Sequence, residues 1–409
     1  MNKLIQLISS STGLLTISQI ISLGFAFISS IVIANSLGLE KFGIYTFYFS
    51  ITSIFLLFFR FGYFSSVGVL IVKTNNIRRQ SELIGTGFVL SILIGVGYSL
   101  FLFLISNYID SFFKSNIREY ILHTLPFLVF LPLTMYLNQV VQSLNNYKPL
   151  IIYNVLSAFI SFIMVLFLYF SHLINIEYLI FSKIIPMSVI ILAIFIVFFK
   201  MSFSNLFKNT SLINLKNKKH GFHLYLGQIA DQFVYKSDEL MINYFVGSSE
   251  LGLYKIAQQL TTPFGMLAKN YAFSKFKIVA NSSFVDNKLQ ETLLKISIFS
   301  MIASIVFSYI IINYFYIDEY HFAFYIAIIL NIAIFFNSIF QLYNNFLNGH
   351  SLGKVTRNNS IKMSIVNLGG NLLFIPFLGA IGAGFASLSA MFSYWYFSLK
   401  EYKKFINRG

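Results

Sequence analysis

Apolar and polar residues alternate along this chain in long blocks. Apolar runs of about 20 residues, each long enough to cross a hydrocarbon core of about 30 Å as a helix, recur twelve times. They cover residues 12–33, 42–61, 82–106, 120–141, 149–171, 176–199, 222–246, 251–273, 292–316, 321–346, 360–378 and 380–399. Little of the chain is left for a soluble domain. The pattern therefore predicts an all-α integral membrane protein with about 12 transmembrane helices.

The seventh predicted span differs from the others because it carries a polar stripe. At about 100° per residue, its polar positions fall within an arc of roughly 160°. These positions are Gln228, Asp231, Gln232, Tyr235, Lys236, Asp238, Glu239 and Asn243. Each charge at the centre of a bilayer costs roughly 2.5–3.5 kcal/mol. The stripe must therefore line a water-filled cavity or pair with other groups inside a helix bundle.

The net charge of +15 is unevenly distributed. With twelve spans and an inner N-terminus, the outer loops contain only Lys41, Lys114 and Arg118 of the 29 Lys and Arg. This positive-inside pattern places both termini in the cytoplasm. A nucleic-acid site would need a basic, aromatic soluble surface, which this pattern does not predict. The basic stretch Phe276–Lys295 is instead predicted to be an amphipathic helix in contact with membrane lipid.

Cysteine is absent from the chain, which excludes disulfides, thiolate metal sites and cysteine catalysis. His123, His172 and His321 lack metal-ligand spacing, so no metal site is predicted. The first apolar run is not followed by a small-residue cleavage site. We therefore expect it to be retained as a span.

An internal repeat divides the chain into two halves. The segment that begins Ile33-Ala-Asn-Ser-Leu-Gly38 and ends Phe42-Gly43-Ile-Tyr45 recurs from Ile242 to Tyr254, with Gly247 and Gly252 at the glycine positions. Leu144-Asn145 and Leu347-Asn348 form a second pair at a nearly equal offset. Glycine suits a tight reversal between spans, and tyrosine suits the membrane interface.

A repeat of six spans keeps both copies in the same orientation, so we predict two pseudo-symmetric six-helix lobes. The N-lobe is residues 1–200, a cytoplasmic linker follows at 201–220, and the C-lobe is 221–409. Bundles of this kind commonly place a substrate path where the lobes meet.

These motifs, together with the glycine-rich stretch from Asn367 to Ser387, resemble the polysaccharide-transporter branch of the MOP superfamily, which is related to the MATE exporters. The match is greatest with Wzx-type O-antigen and capsule repeat-unit flippases. The resemblance implies a flippase in the bacterial cytoplasmic (inner) membrane rather than an enzyme. It would move undecaprenyl-diphosphate-linked oligosaccharides for lipopolysaccharide or capsule biosynthesis to the outer leaflet. It also implies association with polysaccharide polymerase and chain-length machinery.

A lipid-linked oligosaccharide presents a charged diphosphate and many hydroxyls, and neither crosses hydrocarbon unassisted. We therefore expect cations and amides in a cavity. Lys236 and Lys255 are the main candidates for the anionic groups, with Arg60 and Lys183 as further cations. The alternatives are that Lys236 pairs with a neighbouring acid and that the other cations snorkel. The amide candidates, which could equally bond neighbouring helices, are Asn138, Gln142, Gln341 and Asn344.

Asp231, Asp238 and Glu239 are candidates for ion coupling. Clustered carboxylates in a low dielectric bind protons more readily, so one could exchange H⁺ or Na⁺ during transport. Static pairing with Lys236 is the alternative. No other cofactor is expected.

Two competing functions fit parts of the sequence. A MATE-like cation or drug antiporter would also need acids in its cavity. A membrane glycan polymerase or ligase would act on the same lipid-linked substrates, but such enzymes need a large outer loop with catalytic groups. The predicted outer loops are short, which disfavours an enzyme.

Overall fold

The computed structural model describes residues 11–350 and 352–407. Within these ranges, the side chains of residues 11–13, 220, 223, 224, 226–228 and 230–235 lie outside the description. The described backbone is helical with no strand, and this confirms the predicted all-α class.

Sixteen α-helices follow one another along the described chain. They are α1 (Ser11–Leu37), α2 (Leu39–Phe58), α3 (Tyr63–Val72), α4 (Ile77–Phe113), α5 (Arg118–Leu128), α6 (Leu131–Leu144), α7 (Lys148–Phe170), α8 (Ile176–Phe198), α9 (Leu206–Lys216), α10 (Phe222–Val246), α11 (Ser248–Ser274), α12 (Phe276–Ala280), α13 (Asn287–Phe315), α14 (Ala323–Ile339), α15 (Gln341–Gly349) and α16 (Gly353–Ile406). A π-helical turn at Asn217–Gly221 joins α9 to α10, and a 3-10 turn at Asp318–Tyr320 precedes α14.

Each of the twelve predicted spans lies on helical chain, although the fourth and the tenth are each divided between two helices, α5 with α6 and α14 with α15. Among the described residues, eight helical segments are long and apolar enough to cross a membrane, or nine if α5 and α6, which are bent by 43°, form one span. α10 and α11 have sufficient length, with 25 and 27 residues, but are more polar. The 54 residues of α16 are broken at Gly379, so they cover the last two predicted spans.

The glycines of the repeat lie in equivalent turns. Gly38 separates α1 from α2 with φ +72°, and Gly247 separates α10 from α11 with φ +94°. A residue without Cβ adopts such values at no steric cost. At both positions a single glycine separates the two helices, and the predicted reversal of the chain stays a prediction.

One predicted helix is wrong. Residues 276–295 do not form a single helix, because α12 ends at Ala280 and α13 begins at Asn287. The Asp286 side chain accepts from the backbone N–H of Lys288 and so starts α13. The prediction rested on the periodicity of basic and apolar residues in this stretch and did not take account of Asp286 as a helix N-cap.

The described chain forms two compact units. Unit 1 takes the described residues within Met1–Leu37 and Tyr48–Phe233, and unit 2 takes those within Gly38–Phe47 and Val234–Gly409. α1 packs on α7 in unit 1, and α7 packs on α8. The predicted lobe and linker boundaries at 200 and 221 stay predictions.

The core of unit 1 centres on two fully buried aromatic rings. Tyr136 stacks on Phe195 with centroids 5.5 Å apart and planes nearly parallel. The Tyr136 hydroxyl donates to the carbonyl of Ile84 at 3.0 Å, so its burial leaves no unpaired donor. This contact fixes α6 against α4, and α6 carries part of the cavity described below.

In unit 2, α14 packs on both α11 and α16, and α13 packs on α11 and α14. Small side chains allow helices to approach closely in such a bundle. The buried serines of α13 have this role; they are Ser297, Ser300, Ser304 and Ser308.

Two carboxylates hold the starts of helical segments in unit 2. Glu250 Oε2 accepts from the N–H of Ala380 at 2.8 Å, directly after the break at Gly379. Glu319 Oε2 accepts from the N–H of Leu39 at 3.0 Å, at the start of α2. A carboxylate at a helix N-terminus satisfies a free N–H and interacts favourably with the helix dipole. Each carboxylate therefore stabilises the helix start that follows a left-handed glycine.

The first residues of α2 belong to unit 2 and pack tightly there. A Cβ on Gly43 would collide with the carbonyl oxygen of Ser248, so no larger residue fits without movement. The buried ring of Phe42 meets that of Tyr320 edge to face, with centroids 6.0 Å apart. This start of α2 therefore depends on unit 2 for its burial.

Candidate functional site

A polar cavity lies in unit 1. Its volume is about 220 Å³, and it is open to the surroundings. The residues that line it come from the α2–α3 turn, the start of α3 and one face of α6; they are Arg60, Gly62, Phe64, Ser65, Met135, Asn138, Gln139 and Gln142. Three of the predicted substrate residues, Arg60, Asn138 and Gln142, are thus brought together.

The turn that presents Arg60 is held by the π-helical turn. Phe61 and Gly62 both have left-handed backbone conformations, with φ of 46° and 77°. Asn217 Nδ2 donates to the carbonyl of Phe61 at 2.8 Å, and the Ser66 hydroxyl donates to Asn217 Oδ1 at 3.2 Å. A Cβ on Gly62 would collide with the carbonyl oxygen of Gly221. These contacts fix the direction in which the chain leaves α2.

The guanidinium of Arg60 has no acidic partner among the described residues. Its recorded bond runs from Nε to the sulfur of Met135 at 2.9 Å, and thioether sulfur is a weak acceptor. Arginine stays charged in proteins. The cavity therefore contains a half-buried positive charge that no described carboxylate neutralises.

The amides of α6 leave hydrogen-bonding capacity unused. Asn138 donates to the carbonyl of Thr134 at 2.9 Å, which leaves its oxygen available. The side chains of Gln139 and Gln142 bond to no described group. Since Asn138 and Gln142 are one helical turn apart, both lie on the same face of α6.

A second polar cluster lies in unit 2 around Asp238 on α10. The buried carboxylate accepts three neutral hydrogen bonds: from Tyr254 at 2.9 Å, from Asn371 Nδ2 at 2.6 Å and from Ser387 at 3.0 Å. The side-chain oxygen of Asn371 is buried and has no partner among the described residues. The cluster therefore combines a carboxylate with neutral oxygen groups from α11 and α16.

Glu239, next to Asp238, pairs with both predicted substrate lysines. Lys255 Nζ lies 2.6 Å from Glu239 Oε1, and Lys236 Nζ lies 3.5 Å from the same oxygen. The Glu239 side chain is only 1% exposed, whereas Lys236 is 36% exposed. Burial of this carboxylate is compensated by the two ammonium groups. In this arrangement, each lysine has an acidic partner and does not face an anionic ligand unpaired, although the one carboxylate balances only one of the two positive charges.

The remaining candidates are dispersed. Lys183 is exposed, with Nζ 4.3 Å from the ring centre of Phe49. Gln341 donates to the carbonyl of Asn337 at 3.1 Å, and the Asn344 oxygen is buried without a described partner. The side chain of Asp231 lies outside the described residues, as do those of Gln228, Gln232 and Tyr235.

Several site residues were missed at the level of sequence. Gln139 and Ser65 line the cavity but fall outside the i, i+4 pattern of the amide stripe. Tyr254 lies in the repeated motif, and Asn371 and Ser387 lie in the glycine-rich stretch, yet nothing local links them to Asp238. The one available signal was the i, i+4 pair of amides Asn367 and Asn371 on an otherwise apolar span.

A family model described as "Polysaccharide biosynthesis protein" matches residues 8–269. No curated protein matches the chain.

Among solved structures, the inward closed conformation of the lipid II flippase MurJ is 16% identical with a TM-score of 0.75, over 97% of this chain and 89% of that one. An inward-facing multidrug resistance MATE family transporter of the MOP superfamily is 12% identical with a TM-score of 0.72, over 94% of each chain. A MATE transporter of Vibrio cholerae is 13% identical with a TM-score of 0.59, over 100% of this chain and 98% of that one.

The family and these structures are membrane transporters and flippases, not enzymes. At such low identity, the structural similarity shows the fold alone, whereas the family match covers more than half of the chain. The chain belongs to the polysaccharide biosynthesis protein family and has the multi-pass helical fold of the MOP superfamily.

Proposed function

We propose that the protein is a flippase that moves undecaprenyl-diphosphate-linked oligosaccharide repeat units from the inner to the outer leaflet of the bacterial cytoplasmic membrane. The glycan belongs to O-antigen, lipopolysaccharide or capsule biosynthesis. Family membership supports a role in polysaccharide biosynthesis. The fold shared with a protein named as a lipid II flippase supports a lipid-linked substrate. Transport proceeds by alternating access, in association with polysaccharide polymerase and chain-length machinery.

The observation that carries the proposal is that Arg60, in a cavity lined by amides, has no acidic partner among the residues that the structure describes. A guanidinium binds phosphate oxygens through two parallel hydrogen bonds, and amides bond well to sugar hydroxyls. The volume of about 220 Å³ is below the roughly 300–1,000 Å³ of typical ligand pockets. The cavity therefore suits the diphosphate and first sugar of the substrate rather than the whole repeat unit.

The positive-inside pattern supports the orientation in which this cavity opens toward the cytoplasm. Arg60 follows α2, and Gln142 lies near the end of α6, at the ends of these spans that the charge pattern assigns to the inner side. Lipid-linked repeat units are charged and polar at their head, so they need a hydrated entry site on that side. Arg60 would be the first cation that the diphosphate meets.

Ion coupling is assigned to the Asp238 cluster. A carboxylate surrounded by hydroxyl and amide oxygens resembles the oxygen-rich environment that binds a hard cation, and the same carboxylate can bind a proton instead. We therefore propose that H⁺ or Na⁺ binds at Asp238. Glu239 modulates the site through its pairs with Lys236 and Lys255.

The test is replacement of Arg60 in cells that lack the chromosomal copy of the gene. Arg60→Gln removes the charge and is expected to abolish surface glycan, with single lipid-linked repeat units left on the inner leaflet. Arg60→Lys keeps the charge without the planar fork, so partial activity is expected. Arg118→Gln removes an exposed arginine on the predicted outer side and should behave like the wild type. Normal glycan in Arg60→Gln cells with normal protein levels would contradict the proposal.

A MATE-like cation antiporter is the second candidate, because Asp238 and Glu239 are buried acids of the kind that bind cationic ligands. The same experiment distinguishes the two functions. Deletion of an antiporter would leave surface glycan unchanged and would increase sensitivity to cationic compounds.

A further inference from the structure

The helix α9 exposes a large apolar side chain in a strongly basic part of unit 1. The side chain of Phe207 is 96% exposed, the most exposed large hydrophobic side chain in the described part of the protein. Leu215 lies two turns farther along the same face and is also exposed. An exposed apolar face of this kind needs a partner, because water disfavours it.

The opposite face of α9 is firmly anchored in unit 1. Ile213 and Asn209 are fully buried. Asn209 Nδ2 donates to the Thr86 hydroxyl at 3.2 Å, and the N–H of Ser202, just before α9, donates to the carbonyl of Ser81 at 3.1 Å. The helix is therefore held on the start of α4 in an orientation that points Phe207 outward.

The charged residues of α9 and of the turn that follows it are all positive. Four lysines lie on α9 and the turn that follows it; they are Lys208, Lys216, Lys218 and Lys219. The sequence contains no Asp or Glu between Glu177 and Asp231, and none of the four lysines forms an ion pair with a described carboxylate. A protein partner would have to be acidic and apolar at once, whereas a membrane surface that contains anionic lipid has both properties.

We propose that α9 is an interfacial helix that inserts Phe207 and Leu215 among the acyl chains while its lysines bind anionic phospholipid headgroups. Phenylalanine and leucine on one side of a short helix, with lysines beside them, are the residues that bind such an interface. This inference rests on the proposed membrane orientation in one respect, because that orientation identifies the leaflet that α9 contacts as the cytoplasmic one. Each lysine close to an anionic surface strengthens the attraction about fivefold.

The test uses the natural absence of cysteine, so that a single introduced cysteine carries one environment-sensitive dye. The Phe207→Cys variant is labelled and reconstituted into phosphatidylcholine vesicles with or without phosphatidylglycerol, and quenching by doxyl-labelled lipid is measured. The Asp318→Cys variant is the water-exposed reference, because the Asp318 side chain is 100% exposed. We expect blue-shifted emission and strong lipid quenching at position 207, both larger with phosphatidylglycerol, and neither at position 318.

A charge variant separates the lysines of α9 from basic charge in general. Changing Lys208, Lys216, Lys218 and Lys219 together to Gln should remove most of the dependence on phosphatidylglycerol. The matched control changes four exposed lysines elsewhere on the predicted inner surface, namely Lys277, Lys288, Lys354 and Lys403. This control should retain the dependence on phosphatidylglycerol.

Three outcomes would overturn the proposal. One is a dye at position 207 that is quenched by aqueous iodide but not by lipid. Another is equal lipid quenching with and without phosphatidylglycerol. The third is shielding from both quenchers, as a covering protein segment would produce. None of these results depends on glycan transport, so the proposed function is tested independently.

Discussion

At the residue scale, the structure redistributes the roles of the charged side chains. The two lysines expected to meet the substrate are paired with Glu239, whereas Arg60, a secondary candidate, lies in a cavity and has no acidic partner among the described side chains. Helical periodicity placed Lys236 and Glu239 three residues apart, so their contact was foreseeable. The contact of Lys255 with Glu239 joins two helices and depends on how α10 and α11 pack.

The Glu239–Lys255 pair predicts a double-mutant signature. Glu239→Gln alone leaves Lys255 poorly compensated and should destabilise the protein by about 3–5 kcal/mol. The double variant with Lys255→Gln should recover part of that loss, because no uncompensated charge is left. Thermal unfolding of the purified protein in detergent measures both effects. Additive losses would show that the two residues do not stabilise each other.

Asp238 predicts a separation of transport from coupling. Asp238→Asn keeps the size of the side chain, and its one oxygen can still accept from Asn371. Its new NH₂ group can donate to the Ser387 hydroxyl, so the fold should be retained while the charge is lost. We expect transport of a lipid-linked oligosaccharide in proteoliposomes to lose its response to an imposed H⁺ or Na⁺ gradient. Asp318→Asn, which is fully exposed, should keep that response. An Asp238→Asn variant that responds normally would exclude this carboxylate from coupling.

At the element scale, the positions of the long helices were predictable from the sequence, but the contacts between helices were not. Apolar length alone placed each predicted span on a helical segment, because the bilayer thickness fixes how long a spanning helix must be. The short helices α3 and α9 were missed, since they are too short to span and their burial depends on neighbouring helices. The same limit applies to Asp238 and its partners on α16, because periodicity does not indicate which helices meet.

The contact between α2 and α11 predicts unequal effects of two similar substitutions. Gly43→Ala places a methyl group against the backbone of Ser248 and should destabilise the protein by about 1–3 kcal/mol through overpacking. Gly24→Ala on α1 meets nothing within 4 Å and should be neutral or slightly stabilising. Melting temperatures of the two variants in the same detergent give the comparison. Equal melting temperatures would mean that α2 and α11 separate readily.

At the scale of the whole molecule, the sequence repeat is reflected in the backbone. Gly38 and Gly247 adopt left-handed conformations in equivalent turns, and the fourth span of each half is divided into two helices, α5 with α6 and α14 with α15. The repeated motif in the sequence predicted the two equivalent glycine turns. The division of the fourth span in each half was not predicted, since the two divided spans carry no matching motif at the break.

The orientation of the whole chain is testable by labelling from either side. Lys114→Cys should react with a membrane-impermeant maleimide in intact cells, because the charge pattern places it outside. Lys288→Cys, exposed on the predicted inner side, should react only after permeabilisation. The reverse pattern would invert the topology and with it the side on which the Arg60 cavity opens.

The packing of α2 has a consequence for how this gene can be divided. Phe42 and Tyr45 are buried in the second unit, although they lie close to the N-terminus of the chain. A fragment that stops before residue 200 would display these aromatic side chains without their natural cover, and such a fragment synthesised alone should be degraded. Two coding sequences split at that point would have to be expressed together for either product to accumulate.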